Sequence, residues 1–321
     1  MKKATHHSLT LEKAFESTFH LKYDFHDFLD LQIESEYEYF NIHTKKILRP
    51  STKLGKYLRF LNSFVFEFAD VNDSVVHSYR RGKNTYSAIV KHADSNYFFK
   101  TDIQDFFYSI TTEDIKSILD RNLDNTPISD IGDHKDCILR LVSINNTLPV
   151  GLPTSPTISN TFLYAFDNML ESYCQENDIV YTRYSDDIIL SSGERGRLDN
   201  ISTIISGYLK EYASSELELN PSKTKYTHKG NKVKLLGIVI LPCGLVTIDA
   251  KEKKQLEILL HFYSNDKEKY FNYLKKHFNS KSSTVSGKLN YISTIDKLYL
   301  NKLRKKYGNF TVDYFYNNPA E

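Results

Sequence analysis

The stretch YTRYSDDIILSS, residues 181–192, constrains this chain more than any other. Its flanks are rich in aromatic and β-branched residues, in the pattern of buried strands, and between them stand Asp186 and Asp187. Adjacent carboxylates repel each other, and both are costly to withdraw from water. Two readings are open at this point. The segment is an exposed hairpin turn that is merely acidic, or a cation lies between these carboxylates and others. Either way it predicts strand, tight turn, strand.

A second acidic site has the same character. In SNYFFKTDIQDFFYSI, residues 95–110, Asp102 ends a strand-like run, where side chains project at the edge of a sheet. If that strand lies beside the hairpin, Asp102 faces Asp186 and Asp187. Three carboxylates at one spot call for hard cations, and magnesium takes a few carboxylates and completes its shell with water and phosphate oxygens. Two such ions roughly 3.5–4 Å apart stabilise the attacking and leaving oxygens of an in-line phosphoryl displacement. A diphosphate-containing substrate and a polyanion partner come from that one arrangement.

Charge supports a polyanion. The net charge is only +2, yet residues 221–321 hold 19 Lys and Arg against 8 Asp and Glu, while residues 1–220 hold 23 against 32. A basic C-terminal part on an acidic body suits a grip on phosphates; a solvated lysine-rich helix surface is the alternative. The 23 Tyr and 20 Phe suit base stacking as well as core packing. Cys137, Cys174 and Cys243 have no metal-site spacing, no apolar run reaches bilayer length, and the first residues lack the apolar core of a signal peptide. A reducing cytoplasm and no membrane partner are expected.

At 321 residues two or three subdomains are expected. Residues 1 to about 75 read as mainly helical, with Pro50 ending an extended piece. TLPVGLPTSPTISNTFLYAFDNML opens on Gly and Pro punctuation and closes as an apolar helix. Residues 198–219 give an amphipathic helix, KVKLLGIVILPCGLVTI a second hairpin, and two lysine-rich helices span roughly 250–278 and 285–307. Helices and strands are mixed, the α+β class.

Taken together, DIQDFFYSI (102–110), LPVGLPTSPTISN (148–160), YSDD (184–187), LNPSKTK (219–225) and KLLGIVI (234–240) resemble the palm motifs of reverse transcriptases, in order. The similarity is to bacterial enzymes of the retron, group II intron and phage-defence type. KKILRP and YRRGKNT resemble their fingers motifs, and VSGKLNYISTID with LNKLRKKYG a retron-type thumb end. The resemblance implies a right-hand polymerase: an N-terminal helical region and fingers over 1–100, a palm over 101–240 with fingers elements between 111 and 147, and a thumb over 241–321. It implies RNA-directed DNA synthesis from dNTPs with two Mg2+ ions, for which Mn2+ can substitute. The implied partners are an RNA template, the DNA product, a dedicated non-coding RNA and an effector protein, in a retron or antiviral system.

The resemblance also implies roles. Asp102, Asp186 and Asp187 hold the metal. Phe107 matches the ring under the sugar that excludes a 2′-hydroxyl, and Lys223 a lysine that protonates the departing pyrophosphate. Lys45 stands where the family has an arginine on the triphosphate; lysine keeps the charge and loses the planar fork. Arg80, with Arg81, is a candidate for template or triphosphate contacts, and Val150 and Gly151 lie against the nucleotide. Leu236 and Gly237 match the hairpin that holds the primer, and Lys302, Lys305 and Lys306 the duplex-gripping face of the thumb.

The chain also departs from the pattern. Val150 replaces a glutamine common in the family, and Ser185 an alanine. The retron box Asn-Ala-x-x-His is only echoed by Ala88 and His92, and a Val-Thr-Gly element is replaced by Leu235, Leu236 and Gly237. These departures put in question dependence on a retron's own structured RNA and leave room for another defence-associated type. A palm polymerase making untemplated or repetitive DNA is the rival enzyme. A maturase-like RNA-binding protein with an idle palm has no use for three costly carboxylates.

Overall fold

The computed structural model describes residues 9–42, 45–230, 232–278 and 283–317. Two short helices, α1 (Leu11–Phe19) and α2 (Phe25–Asp30), lead into strands β1 (Tyr37–Ile42) and β2 (Lys45–Pro50) and helix α3 (Thr52–Phe64). Helix α4 (Thr85–Ile89) precedes strand β3 (Tyr97–Asp102). Helices α5 (Thr112–Asn122), α6 (Lys135–Val142), α7 (Ser155–Phe162) and α8 (Tyr164–Glu176) follow, then strands β4 (Val180–Tyr184) and β5 (Asp187–Ser192). Helix α9 (Ile201–Tyr212) runs on to β6 (Lys225–His228) and three short strands, β7 (Val233–Leu235), β8 (Ile238–Ile240) and β9 (Val246–Ile248). Among the described residues five helices follow: α10 (Ala250–Asn265), α11 (Lys267–Phe278), α12 (Ser283–Ile295), α13 (Lys297–Tyr307) and α14 (Asn309–Asn317).

The central sheet has the order β4-β5-β3-β6. Strand β3 is therefore interior, with the YSDD hairpin beside it, as the acidic pattern required. The class is α+β.

Two expectations need correction. Residues 37–42, within the segment read as mainly helical, instead form a strand that pairs antiparallel with the extended piece ending at Pro50, in register from Tyr37↔Pro50 to Ile42↔Lys45. Tyr39 and Phe40 carry Lys46 and Arg49 over their rings, at 4.0 and 4.7 Å from the centroids. Such cross-strand pairs of aromatics with long cations outweigh the helical pattern of the acidic residues around them. The two long lysine-rich helices are also broken into shorter ones. Asp266 and Asp296 break them by turning their carboxylates onto the N–H groups of Lys269 (3.0 Å) and Tyr299 (2.9 Å), each starting a new helix.

The chain divides into two compact units. The first comprises 1–82, 99–190 and 196–225, with a core that begins in an aromatic cluster. Phe15 lies 5.1 Å from Phe28 and 5.5 Å from Tyr57, ring centre to ring centre, and all three are buried. Each such ring contributes about 1.5–3 kcal/mol by leaving water. Ser51 starts α3 by accepting the Leu54 N–H at 3.1 Å, and a reciprocal Thr111–Asp114 cap starts α5.

The second unit comprises 83–98, 191–195 and 226–321. Its sheet, β7-β8-β9, packs on α12, and Thr247 and Lys253 both donate to the carboxylate of Asp296, at 2.5 and 3.1 Å. Leu289, Ile292 and Leu303 are buried, while Lys302, Lys305 and Lys306 are exposed. Among the described residues no helix is long and apolar enough to cross a membrane, and the three cysteines are free thiols.

Candidate active site

Strand β3 ends at Asp102, Asp186 sits in the β4–β5 turn, and Asp187 opens β5. Backbone bonds fix these ends. Ile103 N–H donates to the Asp186 carbonyl at 3.2 Å, and Asn220 N–H to the Asp102 carbonyl at 2.9 Å. Asn220 also accepts from the Ser222 hydroxyl at 2.7 Å and its backbone N–H at 3.1 Å, a side-chain-capped turn that carries Lys223 back over the site. Lys223 Nζ donates to Asp102 Oδ2.

Asp102 is 3% exposed, and its Oδ1 is buried with no hydrogen-bond partner. An unmatched buried carboxylate oxygen is costly, so this atom points to a ligand that the side chains do not supply. Lys100, two residues earlier on β3 and so on the same face, places Nζ 2.7 Å from Asp187 Oδ1. Burial lifts the Asp186 carboxyl above its ordinary range, and the nearby charges of Asp187 and Asp102 add to that lift. The hydrogen bond to Asp102 raises the Lys223 ammonium, keeping it protonated at neutral pH.

Among the described residues no three acidic, histidine or cysteine side chains stand close enough to enclose an ion. Two ammonium groups lie on the carboxylates instead. The donor chemistry fits a hard divalent cation: three carboxylates, one of them with a buried oxygen to spare.

Asp102, Asp186, Asp187 and Lys223 line a cleft of 680 Å³ together with Phe107, Val150, Lys46 and Tyr79. Phe107 is half-buried at its wall, while its neighbour Phe106 is 2% exposed and packs in the core. The two adjacent phenylalanines both border the cleft but differ in burial. Val150 reaches the cleft because its carbonyl accepts the Leu48 N–H at 2.9 Å, bonding the 148–153 loop to β2. Gly151 takes φ +118°, and a Cβ there would lie 2.0 Å from the Leu48 carbonyl oxygen. Only glycine fits.

The structure brings Asp102, Asp186, Asp187, Lys223, Phe107 and Val150 into one cleft, with Gly151 behind it. Arg80 does not line it; its guanidinium grips Asp73 through two bonds of 2.7 and 2.9 Å. Lys45 begins β2, but its side chain lies outside the described residues. Leu236 and Gly237 form the β7–β8 turn of the second unit, both at positive φ, and in the same unit Lys306 pairs with Glu257 at 2.5 Å. Sequence reasoning missed Lys46, Tyr79 and Lys100. The spacing of Lys100, two before Asp102 on a strand, was the signal available for the last.

Residues 43–240 match the family model described as reverse transcriptase (RNA-dependent DNA polymerase). The chain is 25% identical to the Escherichia coli retron Ec83 reverse transcriptase over 316 residues, 94% of this chain and 95% of that one. It is 26% identical to the retron Ec73 reverse transcriptase of the same organism over 274 residues, 82% of this chain and 83% of the relative. A solved structure of telomerase from Candida albicans, in complex with a fragment of telomeric RNA, covers 88% of this chain and 61% of its own, with TM-score 0.46 and 11% identity. The family match spans the β2 strand, the cleft and its carboxylates, and on it the chain belongs to the reverse transcriptases, the RNA-directed DNA polymerases, with retron enzymes among its relatives.

Proposed function

We propose that this enzyme joins dNTPs to a primer in the cleft above Asp102, Asp186 and Asp187, copying an RNA into DNA as part of a bacterial retron. The observation that carries the reading is the buried, unpartnered Oδ1 of Asp102 beside the YSDD turn, in a cleft that also holds Phe107 and Lys223. The three carboxylates would hold two Mg2+ ions, which when bound offset charge on the attacking and leaving oxygens. Phe107 supports the sugar from below and excludes a 2′-hydroxyl. Lys223, held protonated by Asp102, is placed to give its proton to the departing pyrophosphate. Lys46 and the cleft end of β2 face the triphosphate. Fingers (1–100 with 111–147), palm (101–240) and thumb (241–321) divide the labour, with the exposed lysines of α13 on the template–primer duplex. A dedicated non-coding RNA serves as template, in the cytoplasm and in antiviral defence with an effector protein.

Primer extension on RNA and on DNA templates, with Mg2+ and with chelator, tests this. Template-directed extension on RNA that stops on chelation is expected. Product made without template, or with a repeat that the template does not encode, would favour the untemplated reading. Extension that survives chelation would sink the metal assignment.

A further inference from the structure

Behind the catalytic turn lies a buried polar network that none of the roles above uses. Arg183 is 0% exposed and so is Asp167, on α8. Arg183 Nε donates to Asp167 Oδ1 at 2.8 Å and Nη2 to Oδ2 at 2.5 Å, and the Tyr181 hydroxyl donates to the same Oδ1 at 2.7 Å. Two-point pairing of this kind fixes the plane of the guanidinium as well as its position. Burial by itself would lower the Arg183 guanidinium, but the charge and hydrogen bonds of Asp167 reverse that and raise it.

The remaining nitrogen of that plane is directed at the turn. Arg183 Nη1 donates to the backbone carbonyl of Ser185 at 2.9 Å and to Asn160 Oδ1 at 3.1 Å. The other side of the same residue is also held, since Ser185 N–H donates to Ser78 Oγ at 2.7 Å. Asn160 closes the circuit by donating to the Ser78 carbonyl at 2.9 Å. Ser185 has φ +59°, a conformation that a residue with a Cβ adopts at a cost, in a two-residue turn where glycine is the usual occupant. Both peptide groups of a strained residue are therefore tied to buried partners, and the next residue is Asp186.

We propose that Arg183 and Ser78 are positioning residues of the nucleotidyl transfer site. Together they hold Ser185 in its left-handed conformation and so aim the Asp186 carboxylate, with Asp167 and Asn160 orienting Arg183. This rests on the placement of the reaction at Asp186, and its test separates the two. Ser78→Ala removes one tie and no buried charge; Ser78→Thr keeps the hydroxyl. Arg183→Lys keeps the charge for Asp167 and loses the fork that reaches Ser185.

Ser78→Ala and Arg183→Lys should each lower kcat roughly tenfold or more while KM for dNTP stays within about twofold, as expected for a misaimed group rather than a lost contact. Mn2+ binding to the protein without nucleotide, followed by EPR titration, should weaken in step. Ser78→Thr should restore both. If Ser78→Ala leaves kcat and Mn2+ affinity unchanged, or if Ser78→Thr fares no better than alanine, the positioning role is wrong. Failure of the site assignment reads differently: Asp186→Asn would then retain activity whatever Ser78 does.

Discussion

Lys100 Nζ stands 2.7 Å from Asp187 Oδ1, on the strand next to it, with both side chains about one-quarter exposed. The ammonium occupies a carboxylate oxygen that the proposed function gives to a cation. Lys100→Met should therefore lower the Mg2+ concentration for half-maximal activity, by roughly two- to fivefold, the scale of a partly exposed ion pair. A titration showing an unchanged or higher Mg2+ requirement would assign the lysine to the substrate instead.

Asp186 gives a pH prediction. Its folded-state pKa is raised by burial and by Asp187 and Asp102, so the native protein without metal binds that proton more tightly than the unfolded chain. The stability it contributes is present below the unfolded carboxylate pKa and lost as pH rises through the folded value. In chelator at neutral pH, Asp186→Asn should raise Tm by roughly 1–3 °C, and the advantage should vanish in acid. The same variant should abolish nucleotide incorporation while leaving nucleic-acid binding intact. A neutral-pH Tm below that of the parent would contradict the direction of the shift.

Phe107 and Phe106 both border the cleft, but Phe106 is buried at 2% exposure while Phe107 is only half-buried, so substitution should separate them. Phe107→Ala should raise the kcat/KM for ribonucleotides relative to deoxynucleotides by on the order of 10- to 100-fold, with the fold retained. Phe106→Ala should leave that ratio alone and cost about 3–5 kcal/mol of stability. An unchanged sugar preference in active Phe107→Ala would remove the gate.

Lys46 lines the cleft from β2 and stands 4.0 Å from the ring centre of Tyr39. Lys46→Ala should raise KM for every dNTP alike, roughly five- to fiftyfold, because a phosphate contact is blind to the base. Steady-state kinetics with all four dNTPs would show a base-dependent effect if the lysine acts elsewhere.

The exposed lysines of α13 are not equivalent. Lys306 is already neutralised by Glu257, whereas Lys302 and Lys305 stand in solvent. Changing Lys302 and Lys305 to Gln should flatten the slope of log affinity against log salt by about 1.4–1.8, at 0.7–0.9 per phosphate contact. Adding Lys306→Gln should change it less than either. First-nucleotide addition at saturating duplex should hold steady. Equal contributions from all three would show that the Glu257 pair opens on binding.

The carboxylates were legible in the sequence because acidic groups inside apolar strands have few explanations, and they meet because the strand ending at Asp102 is the neighbour of the acidic hairpin. The β1–β2 hairpin was not, because its helical charge pattern is local while the aromatic–cation pairs that decide it form only between strands. The breaks at Asp266 and Asp296 follow the same rule: an aspartate within a helical run reads as a surface residue until its carboxylate is seen on an N–H three residues on. Arg183 lay in the opening stretch itself. A lone arginine in a strand does not disclose that its partner, Asp167, is sixteen residues earlier on a helix.

The clash awaiting any side chain at Gly151 has a consequence for how relatives of this enzyme can vary. With its Cβ position filled by the Leu48 carbonyl, residue 151 sets the closest approach of the β2 strand to the loop that bears Val150. A chain with all three aspartates intact but alanine at this place must push that strand outward, carrying Lys46 with it. The wall of the proposed nucleotide site would move although every chemical group remained. Loss of polymerase activity in such a lineage can therefore begin at a position with no chemistry of its own, and the aspartates would persist for a time as relics of a site that no longer closes.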